Sequence, residues 1–258
     1  MIESEQNSKV RLARSLQRRR ERERQGLLFL EGLRLVHDAL DGGPPPHLLI
    51  YTAAAPQQPE IQARIERHRD AAWQVSEGVL QHMADTVSPQ GIAAIVPLPE
   101  LAWPSDPTLL LVTDQIRDPG NLGTLLRTAA AAGVEGVLLT RGSVDPWSDK
   151  VLRAGMGAHF RLPLRSRQTW EEIERLTAGL TRFVAEAGVP RTYDEVEWQP
   201  PTALIVGGEA HGPSEHARRL ATLPISIPMT NQVESLNAAM AGGIILFEAR
   251  RQRRRAKG

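Results

Sequence analysis

From Thr108 onward, short apolar runs alternate with longer amphipathic ones, and this alternation restricts the fold more than any other feature of the chain. "LLLVTD" reads as a strand, "QIRDPG" as a loop, "NLGTLLRTAAAAG" as a helix and "VEGVLLT" as a strand, which together make a βαβ unit. "GSVDPWSDKVLRAGMGAHFRLPL" then supplies a loop, a helix and a strand, "TWEEIERLTAGL" a helix and "TRFVAEA" a strand. "TALIVGGEAHG" is a buried strand running into a glycine loop. "PSEHARRLA" follows as a short helix, "LPISIPM" as a strand, and the run to Arg251 as the last helix, opened by Glu234, Ser235 and Asn237. Apolar strands separated by helices predict a mostly parallel sheet covered on both faces, with ligands held beyond the carboxyl ends of its strands.

The first hundred residues alternate on a shorter period. "LLFLE", "HLLIY", "WQVS" and "GIAAIVPLP" read as strands between helical segments, so residues 1–98 form a small α/β domain. The proline-rich stretch at 99–107 is a linker, and 108–258 is the second domain. Two domains suit a chain of 258 residues. No run of eighteen apolar residues and no basic, apolar leader is present, so neither a membrane span nor a signal segment is expected and a cytoplasmic protein fits. With no cysteine, disulfides and thiol nucleophiles are excluded.

The net charge of +1 conceals basic ends, "KVRLARSLQRRRERER" and "RRQRRRAKG". Dense arginine suits a polyanion, because each neutralised phosphate releases counterions. The alternative is a solvated helix in which Glu21 and Glu23 are internal partners.

Several chemistries lack their signatures. The nearest dinucleotide fingerprint, "GMGAHF", ends in phenylalanine, and "GGEAHG" is followed by Pro213 and Ser214 where a phosphate loop needs lysine and a hydroxyl. His211 and His216 are poorly spaced for one helical face and have no third ligand near, so no metal is expected. No G-x-S-x-G elbow supports a serine hydrolase.

Three polar clusters remain, each just after a predicted strand. Asn121, Gly123 and Arg127 open a helix, with Asn121 as its expected cap and Arg127 about two turns in. An arginine there calls for an anion, or else pairs with a surface carboxylate. Gly207, Gly208, Glu209 and Gly212 give the chain room for a tight turn or for close approach to a ligand. Ile227, Pro228 and Met229 form an apolar strand end ahead of Glu234, Ser235 and Asn237, where Ser235 or Asn237 can equally be a simple helix cap.

Taken together the clusters resemble the SpoU, or TrmH-type, RNA ribose methyltransferases. "NLGTLLRTAAAAG" is similar to the family's first motif, "IVGGEAHG" to its second and "SIPMTNQVESLNAAMAGGIILFE" to its third; "SDKVLRAGMGAHFRLP" and "FLEGLRLVHDAL" also look like family segments. Gly208 departs from a usual asparagine and Asn231 from a usual glycine; asparagine is the residue other than glycine that most readily takes a left-handed turn.

The resemblance implies a knotted (trefoil) SPOUT-type sheet, a homodimer and a pocket for S-adenosyl-L-methionine. Backbone groups of Gly207, Gly208, Ile227, Met229 and Leu236 would hold the cofactor, with Ala185 and Glu186 as a further wall. It implies methylation of a ribose 2′-hydroxyl, a group that only RNA offers. Asn121, Glu209, Ser235 and Asn237 would fix the ribose and the loops. Arg127 is the family's activating residue; because arginine keeps its proton, its planar fork suits gripping phosphate and stabilising a forming alkoxide. The N-terminal domain resembles the family's RNA-binding module, which implies phosphate contacts from Arg14, Arg18, Arg19 and Arg22. Lys150 and Arg153 are further candidates, for each of which a structural salt bridge is the alternative. Such a domain favours large-subunit ribosomal RNA as substrate over transfer RNA. A protein that only binds RNA is the reading from another class, opposed by the intact polar set.

Overall fold

The computed structural model describes residues 1–256 except 42, 85, 87 and 209–211. The chain forms two compact units. The first is Met1–Pro99 together with Trp147–Arg153; the second is Glu100–Pro146 and the chain from Ala154 onward. The connection after the second unit's second strand therefore contributes part of a helix to the first unit, a division that the sequence pattern does not suggest.

The first unit runs α1 (Ser8–Ser15), α2 (Arg19–Gln25), β1 (Leu27–Glu31), α3 (Leu33–Leu40), β2 (Leu48–Tyr51), α4 (Pro59–Arg67), β3 (Ala72–Gln74), α5 (Glu77–Met83) and β4 (Ile92–Pro97). Its sheet has the order β1-β4-β2-β3, with β4 antiparallel to both neighbours and β2 parallel to β3. Val10, Ala13 and Leu16 recur every third residue. This lays one apolar stripe of α1 against Val79, Leu80 and Met83 of α5 and Ile50 and Ile95 of the sheet.

The basic N-terminal run is two helices, not the single helix expected. α1 ends at Ser15, and the Arg22 guanidinium folds back to donate to the carbonyls of Leu16 and Gln17, each at 2.8 Å. Those carbonyls lie where a continuous helix would have bonded them internally. Arg22 is consequently buried, at 4% exposure, and the expectation that it faces RNA is corrected.

The second unit runs β5 (Leu109–Asp114), α6 (Pro119–Ala132), β6 (Gly136–Thr140), α7 (Asp149–Gly155, which begins in the segment belonging to the first unit), β7 (Leu164–Gln168), α8 (Trp170–Leu176), β8 (Thr181–Ala185), β9 (Thr202–Gly207), α9 (Glu215–Leu220), β10 (Leu223–Ile225) and α10 (Ala238–Arg255). The sheet has the order β10-β8-β9-β5-β6-β7, and every neighbouring pair is parallel. β5 and β9 are buried along their whole length, as strands covered on both faces must be. The chain winds outward from β5 through β6 to β7, then crosses to build β8, β9 and β10 on the other side. The winding reverses between β5 and β9, the kind of place where such sheets hold ligands.

α10 packs closely along α6. A Cβ added at Gly242 would stand 2.6 Å from Leu125 Cδ1, so the glycine lets the leucine side chain pack directly against the α10 backbone. The far end of α10 is clamped by Arg253, whose guanidinium donates to the carbonyls of Trp198, Thr108 and Pro200 and to the Thr108 hydroxyl at 2.6–2.9 Å. Among the described residues no helix is long and apolar enough to cross a membrane.

Candidate active site

The first cluster sits on the turn after β5. α6 starts earlier than the sequence suggests: Asp118 is its cap, its Oδ1 accepting the Asn121 backbone N–H at 2.7 Å, and Pro119 takes the first helical position. Asp before Pro is a strong helix start, because the carboxylate answers an orphan N–H and proline has none to lose. Asn121 is thus not the cap, and its side chain is available for another purpose. Its Oδ1 accepts from Asn237 Nδ2 at 2.7 Å, across 116 residues of chain.

Asn237 does two things at once. Its Oδ1 caps α10 by accepting from the amides of Ala239 and Met240, at 2.9 and 3.2 Å, while its Nδ2 reaches Asn121. The last helix begins at Ala238, so Glu234 and Ser235 lie on the exposed segment before it and not within its first turn. That segment turns through Asn231 and Gln232, at φ 56° and 58°. The departure at Asn231 is therefore accommodated by the left-handed geometry asparagine tolerates.

A cavity of about 340 Å³ opens at the carboxyl ends of β8, β9 and β10 beneath the start of α10. Gly207, Gly208, Ile227, Met229 and Leu236 all line it, and Ser235 stands at the same wall. Val206, Ile225 and Ile245 give it an apolar floor. Around Gly207 the chain doubles back so tightly that a Cβ there would stand 2.2 Å from the Pro213 nitrogen; at Gly208 one would stand 2.6 Å from the Gln115 carbonyl oxygen. Glycine at 208, where the family usually has asparagine, goes with Gln115 turning at φ 54° directly against it. Asp114, buried at the end of β5, fixes the returning chain by accepting the Ser214 amide at 2.6 Å. Glu209 lies outside the described residues.

Among the described residues only Glu186 and Arg218 bring charge to the cavity wall, and they pair at 2.8 Å. Away from the cavity, burial pushes the His159 imidazole down to about 4, partly opposed by its 2.8 Å bond to the Pro146 carbonyl. A carbonyl only accepts, so Nε2 carries the proton and the ring is neutral.

Arg127 is exposed on α6 about 9 Å along the axis from Asn121 and is not among the cavity residues. No hydrogen bond or ion pair engages it among the described residues. The set thus divides: Asn121 meets Asn237, Ser235 meets the cavity, and Arg127 stays apart.

In the first unit Arg14 and Arg18 are exposed and border a cleft with Arg11 and His82, closed by Gln17, which is tethered at 2.8 Å to the Met83 carbonyl. Arg11 was missed in the sequence, although it lies about one turn before Arg14 on α1. Arg19 pairs with Glu23 at 2.7 Å and Arg153 with Asp149, while Lys150 is exposed.

An apolar floor, glycine walls and the backbone of Ile227, Met229 and Leu236, which makes no hydrogen bond of its own among the described residues, fit a small molecule with an apolar ring and a polar edge. Fold and cavity therefore define an α/β protein with a cavity of small-ligand size at the carboxyl ends of its strands. The SpoU rRNA Methylase family matches residues 108–247, and the MRM3-like substrate binding domain matches residues 7–94. An uncharacterised tRNA/rRNA methyltransferase of Synechocystis is 40% identical over 97% of this chain and 93% of its own. The 23S rRNA (guanosine(2553)-2'-O)-methyltransferase RlmP of Bacillus subtilis is 32% identical over 96% and 98%. The AdoMet-bound rRNA methyltransferase of Sinorhizobium meliloti superposes with a TM-score of 0.83 at 32% identity, covering 97% of each chain. The chain belongs to the SpoU rRNA methylase family and is a methyltransferase.

Proposed function

We propose that this chain methylates a ribose 2′-hydroxyl of large-subunit ribosomal RNA, with S-adenosyl-L-methionine held in the cavity between β8, β9, β10 and α10. The observation that carries the reading is convergence. Five residues from two distant stretches line one cavity, and Asn237, between the lining residues Leu236 and Ala238, is bonded to Asn121.

Bound there, the cofactor supplies a methyl group already activated on a sulfonium centre. The protein's share is alignment and proton removal. Backbone groups of Gly207, Gly208, Ile227, Met229 and Leu236 hold the cofactor. Asn121, Ser235 and Asn237, with Glu209, orient the ribose, and the Asn121–Asn237 bond keeps two of these side chains in fixed rotamers before RNA arrives. Arg127 grips the adjoining phosphate and stabilises the forming alkoxide with its charged fork.

Arg127 completes the site in a homodimer. Met240 and Phe247 are exposed on α10, with Leu236 exposed just before it, and Gly243, between Met240 and Phe247 on the same stripe, faces Thr128 of α6. That apolar stripe, beside the face of the helix carrying Arg127, suits pairing with a second copy. The reading includes a trefoil knot in the catalytic domain (108–258) and action in the cytoplasm. Residues 1–98, joined by the linker 99–107, grip RNA through Arg14, Arg18 and Arg19, with Arg11 alongside and Lys150 as a further contact.

The test is transfer of labelled methyl groups from the donor by purified protein to separate pools of large-subunit, small-subunit and transfer RNA. Label recovered as a 2′-O-methyl nucleoside of large-subunit RNA is expected. Label in transfer RNA alone, or on a base, contradicts the reading.

A further inference from the structure

Glu186 and Arg218 are unexplained by the chemistry above. Their side chains are 24% and 44% exposed, and an ion pair that open to water adds about 0–1 kcal/mol at most, so stability does not account for it. Both nevertheless line the cavity, and they are the only charged groups among its described walls. Arg218 Nε donates to Glu186 Oε1 at 2.8 Å, while Oε2 has no partner among the described residues. Glu186 directly follows β8, and its amide donates to the Ile225 carbonyl at 2.9 Å, which fixes the backbone from which the carboxylate projects.

We infer that Glu186 Oε2 accepts the ribose hydroxyls of the bound donor and that Arg218 is a positioning residue that turns the carboxylate toward them. This rests on the cavity being the S-adenosyl-L-methionine site. β8 is two strands from β5, about 10 Å across the sheet, and the helix that follows β5 carries Asn121, which is bonded to Asn237. The sulfur has to face that pair. The ribose is one carbon removed from sulfur, and Glu186 projects toward the cavity from the end of β8. The floor of Val206, Ile225 and Ile245 offers the base apolar contact and nothing that could satisfy a diol. An acceptor-only group with an open oxygen is the natural partner of two hydroxyl donors, as where an acidic residue after a strand holds a nucleotide ribose in other α/β sheets.

Calorimetry on the full chain tests this with three ligands: S-adenosylhomocysteine, 5′-methylthioadenosine, which lacks the amino-acid tail, and the 3′-deoxy analogue of methylthioadenosine. Glu186→Gln is expected to weaken the first two by about tenfold each and the 3′-deoxy ligand by much less. Arg218→Lys should give a smaller loss with the same ligand pattern, and unchanged thermal melting shows that both variants fold. Equal weakening of all three ligands, a loss confined to the ligand with a tail, or no loss overturns the inference while leaving the cavity reading in place. If the wild-type chain binds neither S-adenosylhomocysteine nor methylthioadenosine, the cavity reading falls and takes this inference with it.

Discussion

The two ends of the chain carry similar arginine runs, and the fold uses them in opposite ways. Near the start, Arg11, Arg14 and Arg18 face outward around a cleft. Near the end, Arg253 is tied to three carbonyls and a hydroxyl, Arg250 donates to the Ala131 carbonyl, and Arg251 pairs with Glu248 at 2.6 Å. The first set offers charge to a partner, whereas the second set anchors a helix. Arg22 shows that the division follows burial and not position, since it lies in the N-terminal run yet bonds two carbonyls. A charge run therefore says little about partners until the available carbonyls have been counted.

Arg127 belongs to neither set, and its loss should have the largest effect. Arg127→Lys keeps the charge and removes the fork, so turnover is expected to fall by a factor of ~100 to 1,000 with donor affinity nearly unchanged. Full activity of that variant, in single-turnover assays, would refute the fork's role.

Next in size is an acid weakness confined to the unit that holds the C-terminal clamps. His159 has a folded pKa of about 4 against an ordinary 6.5. Below pH 6.5 the unfolded chain takes up a proton that the folded one refuses, so stability is full above 6.5 and falls as pH drops toward 4. The loss is about 3 kcal/mol at most. Denaturant unfolding across this range should show the slope in the wild type and a flatter one in His159→Gln; equal slopes would show that the ring does not contribute.

The two arginine sets then separate directly. Replacing Arg11, Arg14 and Arg18 together by alanine should weaken RNA binding by about 30- to 100-fold and reduce the slope of log affinity against log salt by about 2 to 3, with no change in melting. Arg253→Ala should do the reverse: a stability loss of about 2 kcal/mol, discounted for partial exposure, with RNA binding by the folded protein unaltered. Should the triple variant melt early, or Arg253→Ala alter the salt slope, the contrast between the two ends fails.

Much of the fold was legible because its signals are local. The apolar runs "LLLVTD" and "TALIVG" could be little else than strands covered on both faces, and they became β5 and β9. The resemblance of the motifs to the SpoU family groups Gly207, Gly208, Ile227, Met229 and Leu236 around one ligand, and they line one cavity. What escaped depends on contacts between distant residues. The break after α1 follows from Arg22 folding under it, and Asn121 lost its capping role to Asp118 because the proline at 119 sets an earlier start. The sequence allows Asn237 as a simple cap or as a site residue; it caps α10 while bonding Asn121, which no local pattern can show. The pairing of Glu186 with Arg218 spans 32 residues and leaves no periodic trace.

The central claim is that one cavity, at the carboxyl ends of β8, β9 and β10, receives the methyl donor. A crystal structure with S-adenosylhomocysteine addresses it most directly. The nucleoside is expected between Val206, Ile225 and Ile245, bonded to backbone at Ile227, Met229 or Leu236, with its sulfur toward Asn121 and Asn237. Well-defined ligand density anywhere else on the molecule, with this cavity filled only by solvent, would contradict it.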